Sequence, residues 1–312
     1  MAPARLLAAT LVSSMALTPL AAQNAKKLLV AHRGASAYAP EHTLASYRLA
    51  LEQRADFIEQ DLGLTGDGVL VCLHDPTLER TTNVEEVFPE RFRTVDGARR
   101  WFVRDFTLDE VRRLDAGAWF SPDFAGARVP TFQEAIDLIK GRAGLFPELK
   151  APAVYRDGGA AAAAGAAGGP LEAALVEALK RNGLARPGAD SLTPVIVQSF
   201  DADALRAVAR DLPGLPRTFL LEARDGARWM TAEGLDAVKA FATGIGPAKA
   251  LIDIDPALVT RAHERGLTVI PYTFRARATG RFPDATTEMR HFLFEYGVDG
   301  LFTDNPDLFP SP

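Results

Sequence analysis

The chain has 312 residues, 47% apolar and 24% charged, which excludes wholesale disorder and a polytopic membrane protein and suits one large α/β barrel or two smaller domains. A formal charge of −5 argues against a nucleic-acid partner, although a local positive pocket could still take a phosphate. A single cysteine, Cys72, excludes an internal disulfide, so the core alone must stabilise the chain, with Cys72 packing as a small apolar residue.

The first residues, MAPARLLAATLVSSMALTPLAAQ, give a short basic start at Arg5, an apolar stretch to Leu20 and then alanines. This pattern predicts a signal peptide over residues 1–22, cut after Ala22, and hence an exported protein, periplasmic or secreted. Thr18 and Pro19 interrupt a run already short for spanning, so no stable membrane insertion is expected.

Beyond the leader, β-rich runs alternate with helical stretches: LLVAHR from Leu28, FIEQDL from Phe57, VLVCLH from Val69, GLFPEL from Gly144, PVIVQSF from Pro194, RTFLLE from Arg217, LTVIPYTF from Leu267 and GLFTD from Gly300. Thr43 is placed to cap a helix burying Leu44, Tyr47 and Leu51, and LEAALVEALKRNG and PALVTRAHERG each end in a glycine suited to a C-cap. The alternation predicts a largely parallel sheet closed into a (β/α)₈ TIM barrel over residues 23–312, with an open doubly wound sheet as the alternative. ALIDID from Ala250 is a ninth strand candidate, so at least one of these runs must lie off the barrel or be misread.

Two stretches break the rhythm. Residues 76–128 hold several arginines and aromatics but one clear helix, near Leu108 to Leu114, and read as an insertion or cap after the HD strand. Residues 157–170, DGGAAAAAGAAGGP, read as a flexible loop because their glycines weaken any alanine helix.

Gly66-Asp67-Gly68 marks a tight turn, so the flanking segments should pair antiparallel and bring His74 opposite Glu59 or Asp61, depending on register. Glu59 and Asp61 share one strand face. Burying two carboxylates side by side is costly without a neutralising cation, and a metal would resolve the conflict. Read alone, an E-x-D pair marks a solvated strand end. Here His32-Arg33 closes LLVAHR, and Glu148 and Lys150 close GLFPELK, at strand ends that converge on one face of a parallel barrel. His263 and His291 lie in helical patterns and read as surface or structural residues.

HRGASAYAPEHTLASY, the acidic hairpin through HDPTLERTTNV, FPELK, VIVQSF, HERGLTVIPYTFR and DGLFTDNPD together resemble the glycerophosphodiester phosphodiesterases, and PEHT, with His42 where many members have Asn, resembles the exported bacterial branch. The resemblance implies a barrel with an insertion after the HD strand, one divalent metal ion, and hydrolysis of glycerophosphodiesters such as glycerophosphocholine or glycerophosphoethanolamine to glycerol 3-phosphate and an alcohol. It makes Glu59, Asp61 and Glu148 metal ligands and His32 and His74 the acid–base pair. Three carboxylates with no Cys or multi-His cluster suit Ca²⁺ or Mg²⁺ rather than zinc. Arg33 offers a fork matched to phosphate and Lys150 a second positive charge. Two histidines allow one to deprotonate the nucleophile and the other to protonate the leaving alkoxide. Which does which stays open, as does attack by water against a cyclic-phosphate route.

His42 reads equally as a structural residue of its turn and as a contact to substrate or to a catalytic histidine. Phe200, Tyr272 and Phe274 lie near strand ends, where they either line the alcohol side or pack in the rim. Two other functions are compatible with the motifs: phospholipase D-type cleavage of lysophospholipids or sphingomyelin, which calls for a larger apolar groove, and a catalytically inactive binding scaffold. Oligomeric state is not encoded in any motif.

Overall fold

The computed structural model describes residues 26–156, 169–224 and 226–310. The predicted leader and most of the Ala/Gly stretch lie outside them.

In chain order the elements are β1 (Leu28–Ala31), α1 (Leu44–Glu52), β2 (Phe57–Leu64), β3 (Leu70–Cys72), α2 (Val84–Val87), β4 (Arg93–Val95), β5 (Ala98–Arg100), α3 (Leu108–Val111), α4 (Phe132–Ile139), β6 (Gly144–Leu149), α5 (Ala153–Arg156), α6 (Pro170–Arg181), β7 (Val197–Ser199), α7 (Ala202–Asp211), β8 (Arg217–Leu221), α8 (Ala232–Val238), β9 (Gly244–Pro247), α9 (Lys249–Ile254), α10 (Ala257–His263), β10 (Thr268–Val269), α11 (Ala285–Arg290) and β11 (Gly300–Thr303). The sheet runs β10-β9-β8-β7-β6-β2-β1-β11, with every neighbouring pair parallel. A bridge between Phe274 and Thr303 joins the two ends, backed by Phe274 N–H donating to Phe302 O at 2.8 Å and Phe302 N–H to Pro271 O at 3.0 Å. The result is the expected (β/α)₈ barrel, nearly closed.

Which runs form it differs from expectation at two places. Val69 to His74 is not a barrel strand: β3 folds back antiparallel on β2 and lies off the barrel path. ALIDID is helix α9, since its buried residues, Leu251 and Ile252, are adjacent, and Ile254 is 78% exposed. The missing barrel strand is β9, Gly-Ile-Gly-Pro, whose composition carries no strand signal. Close neighbours explain it: a Cβ on Gly246 would sit 2.6 Å from the Leu220 side chain.

Period-two alternation sends one residue set outward to the helices and the other into the barrel. On β2, Ile58 and Leu62 join the large core between sheet and helices, while Phe57 points into the barrel. The barrel floor is a small cluster of Val30, Phe57, Phe146, Ile270 and Phe302. The Phe146 ring packs edge-on to Phe57 at 5.7 Å and to Phe302 at 5.0 Å. Continuing each inward row toward its C-terminal end changes the chemistry: Val30 leads to His32, Phe57 to Glu59 and Asp61, Phe146 to Glu148, and Phe302 to Asp304. An apolar plug thus ends where the polar mouth begins.

Thr43 caps α1 by accepting from Ser46 N–H, and Tyr47 is fully buried beneath it. Gly183 and Gly266 follow α6 and α10 with φ of 72° and 71°, as their C-cap roles require. Between β3 and α4 the chain forms α2, the β4–β5 hairpin and α3, wrapped around buried Trp101 and Phe106. Guanidinium groups cover this aromatic layer, Arg91 over Phe106 at 4.5 Å and Arg113 over Phe88 at 4.7 Å.

The turn after β1 constrains the mouth. Arg33 and Gly34 have φ of 58° and 85°, and a Cβ on Gly34 would lie 2.7 Å from the Ser46 backbone carbon. Gly34→Ala should therefore cost more than the ~1–2 kcal/mol of a left-handed backbone, because α1 must move. Gly97→Ala has a similar φ of 78° but nothing within 4 Å, and should cost only the backbone term. Urea denaturation of the two variants checks this, and equal losses would contradict the packing explanation.

Candidate active site

His32, Arg33, Glu59, Asp61, His74, Glu148, Lys150, Phe200 and Tyr272 line one cavity of about 400 Å³ at the C-terminal mouth of the barrel, together with Gln198, Glu222 and Arg275. Residues from the first strand to the strand after α10 thus meet in one place. His42 lies beneath it, 3% exposed, and Phe274 belongs to the outer core instead.

Parallel register sets the acids side by side: Asp61 pairs with Glu148 across β2 and β6, and Glu148 with Gln198 across β6 and β7. Glu59 and Asp61 are each 1% exposed and Glu148 5%. The hairpin register pairs Leu62 with Cys72 and ends there, so His74 lies beyond the ladder, paired with neither acid, and still reaches the cavity that both line. Pairing stops at Cys72, although Leu73 N–H still donates to Asp61 O at 2.9 Å.

Each acid has a distinct environment. Arg33 N–H donates to Glu59 Oε2 at 2.7 Å, yet burial and the charges of Asp61 and Glu148 push the Glu59 carboxyl well above the usual carboxylate range. Burial and Asp61 push Glu148 up to about 8 against the pull of Lys150. Asp61 goes the other way: burial opposes its charge, but Lys150, a hydrogen bond from His42 and Arg33 together hold it well below its ordinary value. Lys150 Nζ stands 3.1 Å from Glu148 and 3.7 Å from Asp61, and Arg33 Nε 3.4 Å from Asp61.

A His42 ring nitrogen and carboxylate oxygens of Glu59 and Asp61 lie within 4.8 Å of one another, a grouping that could hold a metal ion. The His42 ring is committed elsewhere. Its Nε2 is 2.8 Å from Asp61 Oδ2 and its Nδ1 2.9 Å from the Tyr47 hydroxyl. A carboxylate only accepts, so Nε2–H donates to Asp61, Nδ1 is left as acceptor, and Tyr47 O–H donates to it. This neutral ring, favoured by burial, orients Asp61 from below. His42 also adopts φ of 53°, a conformation that His and Asn tolerate better than most residues. Three converging carboxylates, two of them pushed toward the neutral form, fit a hard divalent cation.

The two histidines that reach the cavity are held alike. His32 Nδ1 is 2.6 Å from Asp304 Oδ1, and Asp304 is braced by Arg275 Nε at 2.8 Å. His74 Nδ1 is 2.6 Å from Asp75 Oδ1. With acceptor-only carboxylates at these distances, Nδ1 carries the proton in both rings and Nε2 is left for the cavity. Burial and the Arg33 charge hold His32 down at about 4, outweighing Asp304. Asp304, Asp75, Glu41 and Arg80 were not identified from the sequence. All four lie within quoted motifs, and asking which acid orients each histidine would have found the first two.

Opposite shifts give opposite pH dependences. Glu148 is raised, so its contribution is complete below the unfolded value of 4.5 and is lost as pH climbs to about 8. His32 is lowered, so its contribution is complete above 6.5 and is lost as pH falls toward 4. Between pH 6.5 and 8, chelator-treated protein should lose stability as pH rises, Glu148→Gln should flatten the slope, and Ca²⁺ or Mg²⁺ should abolish it. Urea midpoints read this directly; a flat chelated wild type would contradict it.

The model of the glycerophosphoryl diester phosphodiesterase family matches residues 32–308. A glycerophosphodiester phosphodiesterase of Bacillus subtilis is 35% identical over 95% of this chain and 92% of its own. One from Caldanaerobacter subterraneus is 32% identical over 90% and 96%. Among solved structures, an Oleispira antarctica phosphodiesterase in complex with the product sn-glycerol-3-phosphate superposes with a TM-score of 0.67 at 27% identity, covering 90% of this chain and 94% of that one.

Proposed function

We infer the chemistry of this pocket from one premise: the chain belongs to the glycerophosphodiester phosphodiesterase family. It hydrolyses glycerophosphodiesters to sn-glycerol 3-phosphate and an alcohol. The observation that carries our reading of how it does so is the pair of imidazoles, each with Nδ1 fixed by a carboxylate, lining one cavity with Arg33 and Lys150.

His32, kept neutral by burial and Arg33, is the base. Its Nε2 takes the proton of the attacking oxygen, whether water or a substrate hydroxyl, as the P–O bond forms. His74 enters the step as imidazolium, with Nδ1–H held by Asp75, and gives its Nε2 proton to the departing alkoxide as the opposite bond breaks. Arg33 and Lys150 hold the nonbridging oxygens, Arg33 through its planar fork. Glu59, Asp61 and Glu148 would hold one divalent ion, Ca²⁺ or Mg²⁺, with His42 orienting Asp61. When bound, that ion offsets charge developing on the phosphoryl oxygens.

The cavity favours small soluble substrates such as glycerophosphocholine or glycerophosphoethanolamine. Within the cavity the apolar lining is Phe200, Leu220, Tyr272 and Phe302, which is little for an acyl chain; the adjoining clefts that share Phe200 and Glu222 with it add Leu149, Phe219 and Trp229, the surface that a lipid substrate would have to use. Phe200 and Tyr272, edge to face at 5.8 Å, are assigned to the substrate wall. Export rests on the basic, apolar, small-residue pattern of residues 1–22 and on the PEHT variant of the motif, and makes residues 23–312 one exported catalytic domain with its insertion at 76–128.

His32→Ala and His74→Ala should each lower kcat by roughly 10²- to 10⁴-fold on glycerophosphocholine. With a 4-nitrophenyl leaving group, which departs without protonation, only the His74 variant should recover; recovery of the His32 variant instead would reverse the assignment. Product analysis on glycerophosphocholine, lysophosphatidylcholine and sphingomyelin side by side should show turnover of the first alone. Preferential cleavage of either lipid would replace the small-substrate reading with the phospholipase D-type one.

A further inference from the structure

His74 follows a strand whose pairing has already ended at Cys72, so no ladder fixes its ring. Asp75 does so, and the side-chain partners of Asp75 are His74 and Arg80. Arg80 Nε donates to Asp75 Oδ2. Its two terminal nitrogens turn the other way, Nη1 to Glu41 Oε2 at 3.0 Å and Nη2 to Glu41 Oε1 at 2.6 Å. Glu41 Oε1 also accepts from Arg33 Nη1 at 3.0 Å. One unbroken line of contacts therefore runs His74, Asp75, Arg80, Glu41, Arg33, from the proton donor at the end of the hairpin to the phosphate fork on the barrel rim.

An isolated surface ion pair would mean little, and Arg80 is 41% exposed. This one differs in geometry. The guanidinium spends all three nitrogens on two carboxylates, a bidentate fork on one side and a single bond on the other, and Glu41 is only 13% exposed. An ammonium group could not hold both acids in that plane. The support of His32 is built from other residues, Asp304 and Arg275, so of the two rings the Arg80 line holds only that of His74.

We propose that Arg80 and Glu41 are positioning residues: through Asp75 they set the His74 ring and fix its place relative to Arg33, so that donor and phosphate clamp move as one unit. The proposal takes His74 as proton donor from the reading above, but the positioning itself can be tested without that assignment.

Arg80→Gln should lower kcat on glycerophosphocholine roughly 10- to 100-fold, the scale of a misplaced catalytic group, with KM little changed. Arg80→Lys should not restore it. Combined with His74→Ala, Arg80→Gln should add no further loss, because its effect passes through a ring no longer present. If the losses multiply, Arg80 does not act through His74 and the proposal falls. The 4-nitrophenyl substrate gives a second readout: where His74→Ala recovers on it, Arg80→Gln must recover too, and an equal loss on both substrates would mark Arg80 as merely structural. If His74→Ala itself does not recover, the donor assignment fails while the double-variant result still decides positioning. Should Arg80→Gln not fold, Asp75→Asn cuts the same line between Arg80 and the ring and answers to the same double-variant criterion.

Discussion

Three carboxylates buried at one end of a β-barrel are the constraint from which the rest follows. Their mutual repulsion in a site shielded from water must be offset, and nearby residues are arranged to do so. Arg33 turns its backbone N–H to Glu59 and its side chain toward Asp61, Lys150 stands between Asp61 and Glu148, and His42 donates to Asp61 from below. Even so, two of the three acids stay pushed toward their neutral forms. The same two cations that share the burden of balancing these acids face the cavity where a phosphodiester must sit. Charge compensation and substrate recognition are one arrangement seen from two sides.

The barrel makes this arrangement possible by separating two tasks along each inward row. Phenylalanines fill the floor, so no water reaches the acids from beneath, and the polar residues begin one pleat later. The left-handed conformation of Arg33 costs backbone strain, compensated by the Glu59 contact, while Gly34 takes its positive φ freely and lets α1 approach closely at Ser46.

Much of this was legible in the residues. The barrel class, the GDG hairpin and the polar strand ends follow from alternation and turn chemistry, and Thr43 announced its helix. Legibility failed where a side chain was absent or an element too short to show a period. β9 is built on glycines because neighbouring strands come too near for a Cβ, so the property that makes it a good strand here erased its signal. In the insertion, α2 and the β4–β5 hairpin span three or four residues per element, fewer than any pattern needs. The support of the histidines escaped for another reason: Asp304 lies 272 residues from His32, and no spacing rule connects them. His74 was assigned to the right hairpin, but the ladder ends at Cys72, so no register fixes the ring opposite either acid.

Pairing between β1 and β11, sealed by His32 on Asp304, joins the two extremes of the described chain. Of the described strands, synthesis makes first the one that leads to His32 and last the one that leads to Asp304. Until that last segment arrives, the first has no partner on that side, and its imidazole no fixed tautomer. With His32 in the proposed role, turnover would double as a completeness check: a chain short of its last strand, however much sheet it has already laid down, would be inert.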